Sequence, residues 1–576
     1  MGDNENRKVY KARQVKNYRE MVEYSCKNYA QNIAYKYKKD YTAKNVEYIE
    51  KKYEQVGKDI KAFGTGLLNL DLMGERIIVV GKNRYEWCIS YLATTCSNMV
   101  IVPIDKALPD IEMQRLIERS EAKAIIFDEK YLETVKKVQE KENSNLKTLI
   151  CMDNIQEKGI KTFNEILEEG RNQIKNGDQK YDNIEIDENK MSIMLFTSGT
   201  TNEPKAVMLS QANICANISN IACWVKLYPT DVLLSFLPIH HTFECTITFL
   251  YGFYSGSQVA FCDGLKHIQQ NLKEYKVSVF VAVPLVLETM YKKIQKAIEE
   301  QGKTGLIKKM TKISNTLLKA KIDIRKIVFK QILDNFGGHL RVVLYGAAPM
   351  NKATIIGYNN LGISLVQGYG LTETSPVVTA ETDKEKRPGS IGLALANLNL
   401  KIANPDNEGV GEITVKGPSV MLGYYKNPEE TKKVLKDGWF STGDYGYKDK
   451  DGFVYITGRK KDIIVLKNGK NVYPQEIEFL INKIPYIAES LVYSRDKDTT
   501  DTMLCAKIVY DKDAIKQMIG EKTEEEYKEI IWQEIKKINQ ELPIFKKIKN
   551  ITITTEPLKK TTTQKVKRYE ELKNLT

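Results

Sequence analysis

The chain has 576 residues, 42% hydrophobic and 28% charged, a globular composition that excludes a disordered chain and exceeds one ordinary core. Its 87 Lys and Arg against 74 Asp and Glu give a formal charge of +13, which favours anionic ligands without choosing among them. Nine scattered cysteines with no Cys-x-x-Cys pair exclude a disulfide framework and a zinc ribbon and fit a reduced, cytoplasmic protein.

The opening segment, "MGDNENRKVYKARQVKNYRE", lacks the apolar core of a secretory signal, and Asn6 stands where a myristoylation sequence wants Ser or Thr. Four β-branched runs follow, "ERIIVVG", "NMVIVPID", "AKAIIFDE" and "KTLICMD", separated by amphipathic stretches such as "YEWCISYLATTCS" and "IEMQRLIERS". Five more come in the middle: "DVLLSFLP", "SQVAFCD", "VSVFVAVP", "LRVVLYG" and "ISLVQGYG". Apolar strands alternating with helices predict parallel sheets covered on both faces, with ligands in the loops at the strand carboxyl ends. "LRVVLYGAAPM" and "ISLVQGYGLTET" both run from a strand into a glycine-containing loop, so their loops are expected to face one crevice.

The uncharged run Cys245 to Cys262 reaches the length of a short membrane span, but Ser, Gly and Gln interrupt its centre. It predicts a buried helix, a turn at Gly256 and a buried strand. Lys303 to Lys330 carries nine basic residues and one acid, with apolar residues near helical spacing. It is either a surface for an anionic membrane or a solvated cationic helix.

After about Val415 the chain becomes rich in Gly, Asp and aromatic residues, which predicts short antiparallel strands with turns at Asp451-Gly452 and Asn468-Gly469. A strand pair around "ESLVYSR" and "MLCAKIVYD", the helix "EEEYKEIIWQEIKKINQEL", the strand "NITITTE" and a basic tail then complete a separate α+β domain of about 115 residues.

"LFTSGTTNEPKAVMLS", Leu195 to Ser210, concentrates hydrogen-bonding capacity in one loop. It is not a Walker loop, since G-x-x-x-x-G-K-[ST] is absent. Backbone amides around Gly199 can form an anion nest, Thr197, Ser198, Thr200 and Thr201 add hydroxyls, and Lys205 adds a cation. The same hydroxyls can approach a magnesium ion, which takes oxygen ligands.

This loop, "GYGLTET" and "STGDYGY…GRKKD" occur in order and at characteristic spacing, together with "LPIHHTFE", "RPGSIG" and "GYYKNPEET…DGWFSTGD". The set resembles the adenylate-forming superfamily, and the insertion before "LRVVLYGAAP" resembles bacterial long-chain fatty acid–CoA ligases. The resemblance extends over nearly the whole chain. It implies an α/β fold: a large N-terminal domain of parallel and mixed sheets layered with helices plus a β-barrel-like subdomain, residues 1–459, and a small mobile α+β C-terminal lid, residues 460–576. It implies ATP, Mg2+ and coenzyme A, with a carboxylate attacking the α-phosphate and a thiol then displacing AMP. Thr197 to Thr201 and Lys205 would hold the β- and γ-phosphates, Thr372 the α-phosphate, and Glu373, with Thr197, the metal. For Glu373 a helix-cap carboxylate is the alternative. Gly346, Ala347, Ala348, Gln367, Gly368, Tyr369 and Gly370 would line the adenine slot, Asp444 would accept from the ribose hydroxyls, with turn chemistry as its alternative, and Arg459 would donate to ribose or phosphate. Lys461 falls at the hinge, Gly469 at the thiol tunnel and Lys565 at the catalytic lysine. His241 either borders the acyl pocket or is a packed core histidine. Asn202 and Gln564 stand where the family usually has glycine. The expected partners are a medium- or long-chain fatty acid, ATP and coenzyme A. Peripheral contact with an anionic membrane at the inner face is a further expectation. An acyl carrier protein, as the alternative acceptor, would have to be a separate chain, and a catalytically silent nucleotide- or acyl-binding protein is the other alternative, against which the retention of Thr197, Glu373, Asp444, Arg459 and Lys565 argues. No nucleic-acid recognition module appears.

Overall fold

The computed structural model describes residues 4–40, 42, 45–197, 204–466, 471–496, 502–560, 566–573 and 575. The chain divides into two units: Met1–Gly199, Pro204–Leu400 and Val415–Phe440 form one, and Thr200–Glu203, Lys401–Thr414 and Ser441–Thr576 the other.

The first unit is built on two large sheets. In the eight-stranded one, Arg76–Val80 lies between Val100–Pro103 and Ala124–Phe127, all parallel, and Thr148–Cys151 and Lys161–Thr162 continue beyond. Met191–Thr197 runs parallel beside Val100–Pro103, and Lys205–Ser210 and Gly423–Tyr424 extend that edge antiparallel. The nine-stranded sheet has a parallel centre in the order Ile33–Lys38, Gln258–Phe261, Val232–Ser235, Val279–Ala282, Val342–Tyr345 and Ser364–Gly370. Its edges are antiparallel, formed by Tyr48–Lys52 on one side and by Val377–Ala380 with Leu393–Ala394 on the other.

Each of the nine apolar runs read as strands forms one. The reason is burial on both faces: Ile77, Ile78, Val79 and Val80 are all fully buried, and each such side chain contributes roughly 1.5–3 kcal/mol on leaving water. Helices cover the sheets and are capped by local chemistry. Thr162 and Glu165 form a reciprocal capping box on Phe163–Lys175, and Ser210 with Asn213 does the same for Gln211–Trp224. Where Phe163–Lys175 crosses Tyr53–Leu68, a Cβ on Gly170 would lie 1.8 Å from the Ala62 carbonyl oxygen, so only glycine permits that approach.

The run Cys245 to Cys262 folds as the sequence predicts, a buried helix, a turn with Gly256 at φ 74° and the strand Gln258–Phe261. The sequence does not reveal that Glu244–Tyr251 is π-helical. Among the described residues no helix is long and apolar enough to cross a membrane.

In the second unit Asp444 to Lys448, at the end of the strand Trp439–Lys448, pairs antiparallel with Val454–Arg459 in a hairpin whose turn carries Gly452 at φ 91°, at the expected Asp451-Gly452 position. Ile464–Val465 pairs antiparallel with Asn471–Val472; the Asn468-Gly469 turn between them lies outside the described residues. Ile487–Asp496, Thr502–Tyr510 and Asn550–Thr554 make a three-stranded sheet. The helices Pro474–Ile481 and Glu524–Glu541 bury Ile477, Ile481, Ile531 and Ile535 in the same core as that sheet.

Candidate active site

Thr197 ends one strand and Lys205 begins the next, directly opposite in the antiparallel register. The Thr197 hydroxyl donates to the Lys205 carbonyl at 3.3 Å. Residues 198–203, with Ser198, Gly199, Thr200, Thr201 and Asn202, lie outside the described residues. On the other side of the Lys205 strand, Tyr424 is paired with Val207, which sets its ring 5.0 Å from the Lys205 ammonium. The Tyr424 hydroxyl donates to Glu373 Oε1 at 3.0 Å. Lys205 also forms an ion pair of 2.6 Å with Glu430, on the helix Pro428–Val434 capped by Asn427. Hydrogen bonds from Lys205 and Lys433 hold the Glu430 carboxyl down at about 2, so the pair persists through neutral pH.

Glu373 sits in the 3-10 turn Thr372–Thr374, three residues beyond the end of Ser364–Gly370. Its carboxylate engages a tyrosine hydroxyl rather than a helix amide, and it forms no ion pair among the described residues. Glu373 and Thr197, linked through Lys205 and Tyr424, both offer oxygen donors, the ligand type that Mg2+ takes together with phosphate oxygens and water. Among the described residues no group of three or more His, Cys, Asp or Glu could hold a metal by itself.

The second part of the site lies at the ends of Val342–Tyr345 and Ser364–Gly370. These strands are parallel with Tyr345 opposite Gln367, and the Tyr345 hydroxyl donates to Gln367 Oε1 at 2.9 Å. A Cβ on Gly346 would lie 2.7 Å from the Gly368 carbonyl oxygen, so the two loops approach as only glycine allows. Ala347 has φ 71°, a left-handed conformation costly for a residue with a Cβ. Ala347 and Ala348 are exposed, Gly368 and Tyr369 half-buried and Gly370 exposed, so this edge is open. Behind it, buried Glu381 accepts the amides of Gln367 at 3.0 Å and Arg387 at 2.7 Å, and burial pushes its carboxyl up.

His241 lies in the loop after Val232–Ser235. Its Nδ1 accepts the Phe243 amide at 3.2 Å and its carbonyl accepts the Cys245 amide at 3.0 Å. Phe243 follows closely, with its ring edge 3.7 Å from the position a Gly346 Cβ would take. The His241 loop and the Gly346 turn are therefore neighbours. A cavity of about 310 Å3 lined by Lys326, Lys330, Gly338 and His339 lies instead at the amino-terminal ends of the same strands.

In the second unit Asp444 and Arg459 stand opposite each other in the hairpin and form an ion pair of 2.9 Å, Asp444 buried and Arg459 half-buried. Lys461 lies in the 3-10 turn Lys460–Asp462, next to Lys460, which pairs with Glu412 at 2.8 Å. Gly469 and Lys565 lie outside the described residues. The segment carrying Lys565 is bounded by Lys560 and Val566, joined as an antiparallel bridge, and Glu571 braces this tail through Lys507 at 2.7 Å and the Lys559 amide at 2.8 Å.

Within the first unit, then, Thr197, Lys205 and Glu373 come together, and Gly346, Gln367 and the His241 loop come together at adjoining strand ends. Tyr424, Glu430 and Glu381 carry no motif of their own; the only sequence signal for Tyr424 and Glu430 is their place in "GYYKNPEET". Because Glu430 competes for the ammonium that a polyphosphate would need, Glu430→Gln is expected to tighten ATP binding roughly twofold to fivefold at low salt, and Lys205→Ala to weaken it. Isothermal titration calorimetry of both variants measures this; weaker binding by Glu430→Gln would show instead that the pair holds Lys205 in its binding pose.

Residues 22–425 match the family model described as AMP-binding enzyme, and residues 461–575 match its C-terminal domain. The chain is 30% identical over 497 residues to the long-chain-fatty-acid–CoA ligase 6 of Mus musculus, covering 80% of this chain and 70% of that one. It is 28% identical over 563 residues to the chloroplastic long-chain-fatty-acid–[acyl-carrier-protein] ligase AEE15 of Arabidopsis thaliana, covering 85% and 76%. ATP-bound MatB from Rhodopseudomonas palustris superposes with a TM-score of 0.74 at 23% identity, over 96% of this chain and 98% of that one, and so has the same fold. The two-sheet first unit and the α+β second unit are thus those of an adenylate-forming enzyme, and the chain belongs to the AMP-binding enzyme family.

Proposed function

We propose that the protein is an AMP-forming acid–thiol ligase that activates a medium- or long-chain fatty acid. ATP and the acid give acyl-adenylate and pyrophosphate, and coenzyme A then takes the acyl group and releases AMP. The observation that carries this reading is the meeting of Lys205, Tyr424 and Glu373 beside Thr197, at the foot of the hydroxyl-rich loop. A carboxylate must approach a polyanion here, and prepositioned cations and donors offset that repulsion in the transition state.

In this reading the amides and hydroxyls of Ser198 to Thr201 and the Lys205 ammonium hold the β- and γ-phosphates. Thr372 contacts the α-phosphate, and Thr197 and Glu373 hold Mg2+, which when bound supplies charge neutralisation. Gly346 to Ala348 and Gln367 to Gly370 receive adenine, Tyr369 stacking on it. Asp444 accepts the ribose hydroxyls once Arg459, its present partner, turns to ribose or phosphate. His241 borders the acyl pocket. The working division is 1–459 and 460–576, with Lys461 as hinge, Gly469 at the thiol tunnel and Lys565 stabilising charge as the acyl-adenylate forms. A carrier-protein thiol as acceptor is the second reading, favoured by the name of the Arabidopsis relative.

The reading includes peripheral contact with an anionic membrane, at the cytoplasmic face, through the insertion. Within it, Leu306, Ile313, Leu318, Ile322 and Ile327 are exposed. Lys308, Lys309, Lys312, Lys319, Lys321 and Lys326 are exposed and form no ion pair among the described residues. Exposed apolar side chains interleaved with unpaired lysines suit an acidic lipid surface, where fatty acids partition.

A panel of carboxylic acids assayed for AMP release should give turnover with long acyl chains that depends on coenzyme A. Turnover with a carrier protein alone would establish the second reading, and no AMP with any acid would end both. Lys565→Ala should lower acid-dependent pyrophosphate exchange by about a hundredfold or more while sparing thioester formation from supplied acyl-adenylate. Equal loss of both halves would contradict the assigned role. Replacing Lys308, Lys309, Lys312 and Lys319 with Glu should weaken sedimentation with phosphatidylglycerol vesicles by about tenfold or more, without changing activity on a soluble acid. Unchanged sedimentation would remove the membrane contact from the reading.

A further inference from the structure

Glu244 is the first residue of the π-helix Glu244–Tyr251, and its side chain is fully buried. Eight consecutive π-helical residues are rare, and π turns recur at functional sites. The carboxyl group is held from three directions. The Ser235 hydroxyl, at the end of Val232–Ser235, donates to Oε1 at 2.7 Å. The Thr248 hydroxyl donates to Oε2 at 2.8 Å, and the Phe236 amide also donates to the carboxyl group. Ser235 in turn accepts from Asn83 Nδ2 at 2.8 Å. Asn83 belongs to the loop after Arg76–Val80 of the other sheet, donates to the Leu237 carbonyl at 2.8 Å and accepts the Ile239 amide at 3.4 Å.

We propose that Glu244 is a positioning residue: through Ser235, Asn83 and the Phe236 amide it fixes the 236–243 loop, and with it His241 and Phe243, against the Gly346 turn. The loop is held at Phe236, Leu237 and Ile239 by this network, and at its far end by the Cys245 amide on the His241 carbonyl. Phe243, the neighbour of Glu244 in the chain, is the side chain that reaches the Gly346 turn. The network thus ties both sheets to the place where acyl and nucleotide parts of a substrate would meet. For the acid substrate this inference rests on the ligase reading.

The titratable groups facing the carboxyl are the thiols of Cys88, Cys245 and Cys262, and Glu244 forms no ion pair among the described residues. No cation among the described residues compensates a buried negative charge, and burial outweighs the three hydrogen bonds that favour the ionised form, raising the carboxyl to about 8. At neutral pH Glu244 is therefore a neutral acid. In this neutral form Oε2–H donates to the Thr248 hydroxyl oxygen in place of the bond that the ionised carboxylate accepts from it. A glutamine amide can make the same bonds; a leucine leaves two buried hydroxyls and an amide without their partner.

Two measurements test this. In substrate-free protein, hydrogen–deuterium exchange of the 236–243 amides should quicken by about tenfold or more in Glu244→Leu and stay near wild type in Glu244→Gln. In the acyl-activation assay, Glu244→Leu should lower kcat/KM for the acid by about tenfold or more with the ATP KM changed less than about threefold, and Glu244→Gln should restore it. Between about pH 7 and 9 the wild-type kcat/KM for the acid should fall as Glu244 loses its proton, and that of Glu244→Gln should not share this fall. If Glu244→Leu does not fold, Asn83→Ala and Ser235→Ala replace it with the same expectations. Wild-type exchange over 236–243 in the Leu variant, or in both substitutes, overturns the proposal. A Gln variant as impaired as Leu in exchange also overturns it. Absence of AMP release from the wild-type protein with any acid would sink the ligase reading alone, because the exchange result does not depend on it.

Discussion

Lys205 stands where three demands meet. It opens the strand that closes the hydroxyl-rich loop, it packs over the ring of Tyr424, and it is paired with Glu430. An ammonium on a flexible stem would otherwise sample many rotamers, and ordering it at the moment of binding would cost entropy. Here the aromatic face of Tyr424 orders it beforehand, while Glu430 competes for its charge. Tyr424 passes the same order on to Glu373 through its hydroxyl, so one tyrosine connects the cation and the carboxylate of the candidate nucleotide site. The adjoining strand-end loops can add only shape if this cluster supplies the charge.

The rest of the first unit makes that cluster possible. Two sheets buried on both faces are stiff, and stiffness lets short loops at their carboxyl ends hold definite positions. The loops are then corrected by buried polar groups placed behind them. Glu381 holds the Gln367 and Arg387 amides, and Glu244 holds the 236–243 loop through Ser235 and Asn83. Both carboxyl groups are raised by burial, which is the mark of acids kept for their hydrogen bonds rather than their charge. The left-handed Ala347 and the close approach of Gly346 to Gly368 lie at the same edge. A strained turn and two buried carboxyl groups thus stand behind the strand-end loops.

The strands were legible because a doubly buried strand is a continuous apolar run, as in "IIVV" of Ile77 to Val80, and because Gly and Asp punctuate the turns, as at Asp451-Gly452. The candidate site was legible at Thr197, Lys205, Glu373, Asp444 and Arg459 because their residue types and spacing form motifs. Tyr424, Glu430, Glu381, Glu244 and Asn83 were not. Their partners lie far along the chain, Lys205 from Glu430 by 225 residues and Asn83 from Ser235 by 152, and no local pattern records such a contact. The π-helix was equally hidden, since an all-buried helix of "ECTITFLY" shows no amphipathic period from which its winding could be read.

The amino-acid sequence by itself therefore determined the α/β class, the strands, the family and the chemical types brought to the site, because burial and motif spacing are properties of neighbouring residues. The tertiary structure alone decided that Lys205 is shared between Glu430 and Tyr424, that Tyr424 reaches Glu373, and that Glu244 and Asn83 join the two sheets. Those pairings arise only when strand order and crossover place distant segments within hydrogen-bond reach, and that placement belongs to the packing of the whole unit.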